Sequence, residues 1–309
     1  MFSAAVMAPV FETNEVKLLK DKEISIAKDA ESNPESHLEK LQRENAFGNT
    51  PYAVDPVGNE VTINALTPDA MRQYYKTLLN KNKIFIVVVG NVTKQEIFEK
   101  VLLSFGNMPS SAYAPVDLKP PVLNDNKLLT EQRSLKINYV GAIMNCPEFT
   151  NVNYIPFRMG ISGLSGNIYY SLRTGGNLSY SAGAFTSELL MPYTQMYAST
   201  NDVYTVMNTM LKKLKDIQNN GMDNEWLQHV KNTYITRSYI DGQSASAITN
   251  SLGQAEILGN WQYADDLTKL VQMVTVEQVN NALNFYISGL RWTVLGNADV
   301  VDNIKPPAY

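Results

Sequence analysis

Few residues in this 309-residue chain have side chains suited to chemistry, and most of those stand apart. Arg173 and Tyr180 are the exception. They flank the run Thr174-Gly175-Gly176-Asn177-Leu178-Ser179, in which a helix is expected to end, a Gly-Gly turn to reverse the chain and a strand to begin. Arginine is a permanently charged multiple donor, and tyrosine can donate a hydrogen bond to an oxyanion. A plainer reading makes Arg173 a helix C-terminal charge favoured by the macrodipole and Tyr180 a half-buried strand aromatic. His37 and His229 are the only histidines, and neither has a second histidine three or four residues away. A His-rich metal site is therefore hard to build within this chain alone. Cys146 is the single cysteine, which excludes an intrachain disulfide and a Cys-based zinc site. Glu23 lies beside Lys20, Lys22 and Lys28 and reads by itself as a solvated helix carboxylate.

The strongest strand signal is Ile84-Phe85-Ile86-Val87-Val88-Val89, an unbroken apolar run suited to a central strand buried on both faces. A helix precedes it, with Thr67 as N-cap and Pro68 at its first position. A second, capped by Thr93, follows. The pattern returns near the C-terminus, where Thr275 opens a helix and Trp292-Thr293-Val294-Leu295 leads to Gly296-Asn297. The offset is 208 at the threonines, 206 at the Gly-Asn pairs and 211 between Phe47-Gly48-Asn49 and Leu258-Gly259-Asn260. Three elements in one order at nearly one offset indicate a duplication with a period of about 207 residues. By that period the chain is expected to begin inside its first repeat.

The stretch from Met108 to Asn126, with Pro109, Pro115, Pro120 and Pro121, has the composition of a linker. Beyond it, Ser134–Val140 alternates as a strand and a helix is expected from about Tyr154 to Leu172. Strands follow at Ser179–Leu189 and Thr194–Thr200, and three helices are expected between Asp202 and Ile287. Gly160, Gly163 and Gly166 mark a helix face in close contact with a neighbour. The Gly175-Gly176 pair follows a helix instead of opening one, so it lacks the setting of a phosphate loop.

Composition narrows the function classes. A net charge of −4 argues against nucleic-acid binding, which calls for a basic surplus or stripe. No apolar run approaches the ~20 residues of a membrane span. The apolar stretch Met1 to Phe11 lacks the basic start of a signal peptide, so the chain is expected to be soluble.

Residues Leu172-Arg173, Gly176 and Leu178-Ser179-Tyr180 resemble a segment in the second half of M16 (insulinase, pitrilysin or mitochondrial-processing type) metallopeptidases. The stretch from Val10-Phe11 to Glu23-Ile24, then Asn33-Pro34, Phe47–Tyr52, Gly58, Leu66, Tyr74-Tyr75 and Val88–Asn91, is similar to the latter part of an M16 first half. The resemblance covers essentially the whole chain, and it implies a zinc held by an inverted His-x-x-Glu-His motif with a distal glutamate roughly 75 residues on. That zinc would lower the pKa of a bound water to make the nucleophile. The motif is absent here, so the chain alone is expected to hold no catalytic zinc and to cut no peptide. Glu23 lies near the distal-ligand position and would serve only if an upstream His-x-x-Glu-His exists. Arg173 and Tyr180 match residues that the family uses to hold substrate main-chain carbonyls.

The expected fold is α+β: two related M16-type units, each a mixed sheet with helices packed on one face, the first truncated at its N-terminus. Residues 1–107 form the end of the first repeat, 108–132 a Pro-rich linker and 133–309 the second unit. The resemblance implies an unfolded peptide as substrate, and an M16 subunit bearing the zinc motif, or a further copy of this chain, as partner. Two functional readings stay open. One is the substrate-clamping half of a peptidase chamber, inactive alone; the other is a non-catalytic structural or peptide-binding subunit.

Overall fold

The computed structural model describes every residue except Met1, Asn49, Asp117, Pro120 and Pro121. The first helices in chain order are α1 (Phe2–Met7), α2 (Thr13–Ser32), α3 (Pro34–Phe47), α4 (Glu60–Asn64), α5 (Pro68–Leu78) and α6 (Lys94–Phe105). Next come strands β1 (Asn126–Gln132) and β2 (Asn138–Asn145), helix α7 (Tyr154–Tyr169), and strands β3 (Ser179–Thr186) and β4 (Tyr193–Thr200). Helices α8 (Val203–Asn220), α9 (Asn224–Asp241), α10 (Ala245–Ile257), α11 (Gln262–Met273) and α12 (Val276–Tyr286) precede β5 (Leu290–Gly296) and α13 (Ala298–Val301). The chain divides into two compact units: Met1–Ser32, Pro56–Asp117 and Ser244–Thr249 in one, Asn33–Asp55, Leu118–Gln243 and Asn250–Tyr309 in the other.

In the first unit the threonine caps form as the residue pattern requires. The Thr67 hydroxyl accepts from Ala70 N, and Thr93 and Glu96 close a capping box on α6. The strand expected at Ile84–Val89 does not form. That segment pairs with no other strand among the described residues, and Ile84, Phe85, Ile86 and Val88 are exposed. A strand is completed by neighbours that satisfy its N–H and C=O groups, and this unit holds no other strand among its described residues. The run instead lines a broad apolar concavity together with Phe2, Val6, Phe98 and Phe105.

The second unit is built on a sheet of order β1-β5-β2-β4-β3, with β1 and β5 parallel and the other pairs antiparallel. It establishes the α+β class with a mixed sheet. Alternate residues of β5 and β2 (Leu290, Trp292 and Val294; Val140, Ala142 and Met144) enter the main core with α7, α8 and α12. The intervening residues face α3, which adds cover to the opposite side: Leu38 and Leu41 pack on Leu295. Gly141 lets α3 approach closely, since a Cβ there would lie 2.2 Å from the Gln42 amide nitrogen. Gln42 in turn accepts a 2.7 Å hydrogen bond from Gln195 of β4.

Three expectations about this unit change. Residues 126–132, placed in the linker, form β1; with only two apolar residues in NKLLTEQ it makes an edge strand that carries little periodic signal. Strand β2 starts at Asn138, four residues after the expected start, because Arg133 N bonds to Gly296 O and Leu135 N to the Asn297 side chain where the chain leaves β1. Between Asp202 and Ile287 there are five helices, not three. The glycine face of α7 is in close contact as expected, with Gly160 against Leu283 and Gly163 against Met222 and Trp226.

Candidate functional site

Arg173 and Tyr180 are brought together by two local irregularities. Helix α7 does not stop at Tyr169 but widens into a π-turn, Tyr170–Thr174, closed by Gly175 N donating to Tyr170 O at 2.8 Å. Such turns insert one residue into a helix and re-aim the side chains after it. Leu172 anchors this turn in the core, and its carbonyl accepts from Leu178 N at 2.8 Å. Gly176 is required here, since a Cβ would lie 2.4 Å from Ser171 O. Asn177 then takes a left-handed conformation with φ 49°, which asparagine tolerates better than most residues.

The second irregularity is in β3. Ser179 pairs with Thr200 and Ala182 with Ala198, so β3 carries one more residue than β4 between these pairs. The Ser179 hydroxyl bonds across that bulge to Ser181 O at 2.7 Å. Bulges of this kind turn a side chain out of the regular alternation. Tyr180, inside the bulge, is 77% exposed.

Arg173 places its guanidinium over the Tyr180 ring, 4.0 Å from the centroid, and its Nη1 donates to Tyr180 O at 3.2 Å. The Tyr180 hydroxyl and the other guanidinium N–H groups have no hydrogen-bond partner among the described residues. The pair therefore offers outward-facing donors beside β3, an edge strand of the sheet among the described residues. Such an edge presents unpaired backbone groups of its own.

The remaining sequence candidates do not join this pair. Glu23 is exposed on α2, in the first unit. His229 is exposed on α9. His37 is buried on α3, where its Nε2 lies 2.8 Å from Glu131 Oε1 and 2.9 Å from Arg133 Nη2. That cluster escaped the sequence reading because His37 stands more than ninety positions from Glu131 and Arg133, so no local spacing links it to them. Cys146 is buried, and burial pushes its thiol pKa well above the ordinary range, so it is not poised as a nucleophile. Among the described residues no three His, Cys, Asp or Glu side chains cluster as a metal site would require. No helix among them is long and apolar enough to cross a membrane.

Comparison with known proteins gives the class. The family model described as peptidase M16 inactive domain matches residues 65–234. The chain belongs to that family. A protein of Bacillus subtilis named uncharacterized zinc protease YmxG is 23% identical over 87% of this chain and 67% of its own length. An uncharacterized zinc protease of Streptomyces coelicolor is 20% identical over 81% of this chain and 57% of its own. The chain thus spans between about half and two thirds of the length of these relatives. Among solved structures, a peptidase M16 inactive domain from Pseudomonas fluorescens superposes with a TM-score of 0.81 at 17% identity, covering 96% of this chain and 74% of that one. The relatives' names put zinc in the family, yet the described residues do not fit a zinc ion: Glu23 belongs to no cluster of three ligating side chains among them, and His37 is engaged by Glu131 and Arg133.

Proposed function

We propose that this chain is the substrate-binding half of an M16-type peptidase chamber and is inactive on its own. The observation that carries this reading is the stacked Arg173–Tyr180 pair, exposed beside a free sheet edge. An unfolded peptide would add as a strand along β3, using the edge groups for its backbone. Arg173 and the Tyr180 hydroxyl would then donate to its main-chain carbonyls, the guanidinium being pre-oriented by the ring beneath it. The clamp positions a peptide and cuts nothing. Any metal chemistry belongs to a partner or segment bearing His-x-x-Glu-His, and Glu23 would be a ligand only in that setting.

The decisive experiment is peptide binding to the 309-residue chain. Arg173→Ala should weaken an unstructured decapeptide by about tenfold or more, as loss of a charge-assisted hydrogen bond does, and Tyr180→Phe by about two- to tenfold, as loss of a neutral one does. Unchanged affinity in both would remove the pair from the site. Turnover of the peptide by the chain alone, with stoichiometric zinc, would overturn the inactivity.

A second reading, a non-catalytic structural or peptide-binding subunit, is favoured by the inactive-domain description of the matching family. It keeps the clamp but requires no zinc-bearing partner. Cleavage that appears only when such a partner is added decides for the first reading.

A further inference from the structure

Beside the clamp lies a cavity of about 260 Å³ that none of the expected site residues occupies. Its floor is the face of the sheet that α3 leaves open, where Tyr139 of β2, Phe185 of β3 and Tyr197 of β4 present their rings. Phe185 and Tyr197 stand 6.2 Å apart, and Tyr197 is paired with Gly183, whose missing side chain leaves room for the phenol. One wall is the first part of α3, which contributes Glu35 and Glu39. Ser181, next to Tyr180 in the bulge, completes the lining on the clamp side.

The charges in this cavity are unbalanced. Glu35 and Glu39 are four residues apart on one helix face, an arrangement that disfavours a helix when both are ionised. Neither forms an ion pair with a described residue. Glu35 and Tyr139 line the same cavity, and burial together with the negative charge of Glu35 pushes the Tyr139 phenol pKa up. Gln195 also lines the cavity and is only 3% exposed. Its Nε2 is bound to Gln42, while its Oε1 accepts from no described residue. Two carboxylates, a buried amide acceptor and three aromatic rings enclose space for one long side chain. Every polar group named accepts hydrogen bonds or favours a cation, and none of them repels one.

We propose that this cavity is a subsite for a lysine or arginine side chain of the bound peptide, with Glu35 and Glu39 pairing its charge. The inference rests on the clamp reading for the peptide backbone and adds the substrate class: peptides carrying a basic residue beside the segment held by Arg173 and Tyr180. The cationic head would sit between the carboxylates, and its methylene stem would lie on Phe185 and Tyr197.

The test uses the full chain and four decapeptides that differ at one central position, Arg, Lys, Leu or Glu, with N-acetyl-arginine amide as a small probe. Calorimetry should show the Arg and Lys peptides binding about tenfold tighter than the Leu peptide, and the Glu peptide weakest. In Glu35→Gln/Glu39→Gln the four affinities should converge to within about twofold, and binding of N-acetyl-arginine amide should be lost. Both changes are isosteric and exposed, and an unchanged circular dichroism melt confirms the fold. Arg173→Ala should weaken all four peptides alike and leave N-acetyl-arginine amide binding intact. Equal affinity for the four peptides in the wild-type chain overturns the subsite, as does a charge preference that survives in the double glutamine variant. If the preference disappears with the glutamates but Arg173→Ala changes nothing, the subsite stands and the clamp falls. If peptides bind through Arg173 without preference and the small probe does not bind, the clamp stands and the subsite falls. Absence of binding by every peptide and by the small probe overturns both.

Discussion

The guanidinium of Arg173 lies 4.0 Å from the centre of the Tyr180 ring and bonds to the carbonyl of the same residue. One residue thus holds the other at two points, through its ring and through its backbone. The π-turn after α7 delivers the arginine and the bulge in β3 turns out the tyrosine; regular helix and strand geometry in this segment would give neither orientation.

Coupling between the two follows from this geometry. A double-mutant cycle with Arg173→Ala and Tyr180→Ala should give a stability coupling of about 0.5–1 kcal/mol, the size of an exposed cation–π contact. For peptide binding the two should act as one unit, so that the double variant is no weaker than the worse single one. Additive losses in affinity would show that they bind separately.

The turn that separates them tolerates alanine at one glycine and not at the next. Gly176→Ala brings a Cβ to 2.4 Å from Ser171 O, whereas the nearest atom to a Cβ at Gly175 is 3.4 Å away. Gly176→Ala should destabilise the second unit by about 1–3 kcal/mol, and Gly175→Ala by less than about 1 kcal/mol. Urea unfolding followed by tryptophan fluorescence measures both; equal costs would contradict the geometry.

The two similar apolar runs should differ sharply in protection. Val294 in β5 is fully buried and paired on both sides of its strand, while Val88 is 46% exposed with no ladder partner among the described residues. Amides of 290–296 should exchange with solvent about a hundredfold or more slowly than those of 84–89. Val294→Ala should cost about 2–3 kcal/mol and Val88→Ala less than about 0.5 kcal/mol. Comparable protection in both runs would mean that Ile84–Val89 is paired in solution.

Cys146 makes the alkaline limb of stability testable. Burial raises its pKa above that of the unfolded chain, so the folded state keeps its proton where the unfolded state has lost it. Its contribution is complete below the unfolded thiol pKa of about 8.5 and is lost as pH rises beyond it, by at most about 1.4 kcal/mol per pH unit. Cys146→Ala should flatten the decline between pH 8.5 and 10, a window that begins below the ionisation of the buried Tyr154, whose pKa is raised in the same way. Unfolding free energies measured at half-unit pH steps show this; an unchanged slope would exclude the thiol as its source.

Local chemistry was legible in the residues themselves. Thr67, Thr93 and Thr275 read as caps and form caps, because a capping hydroxyl needs only the next three residues. The starts of α7 and β3 and the end of β4 were legible for the same reason, whereas the approach of Arg173 to Tyr180 depends on the π-turn and the bulge. Strand β1 and the cavity beside Glu35 were not. The pattern NKLLTEQ carries little signal alone, and β1 exists because β5 lies alongside it, 164 positions on. Glu35, Phe185 and Tyr197 share no motif and meet only where α3 leaves part of the sheet uncovered.

The sequence by itself determined the α+β class, the lack of a His-x-x-Glu-His motif and the identity of the arginine and tyrosine. Those rest on periodicity, composition and short spacing, which are properties of the chain before it folds. Tertiary structure decided which of two similar apolar runs becomes a strand. Ile84–Val89 has the stronger strand pattern, yet Leu290–Gly296 is the one in the sheet. A strand is defined by the partners that satisfy its backbone, and partners are supplied by the fold, not by the run itself.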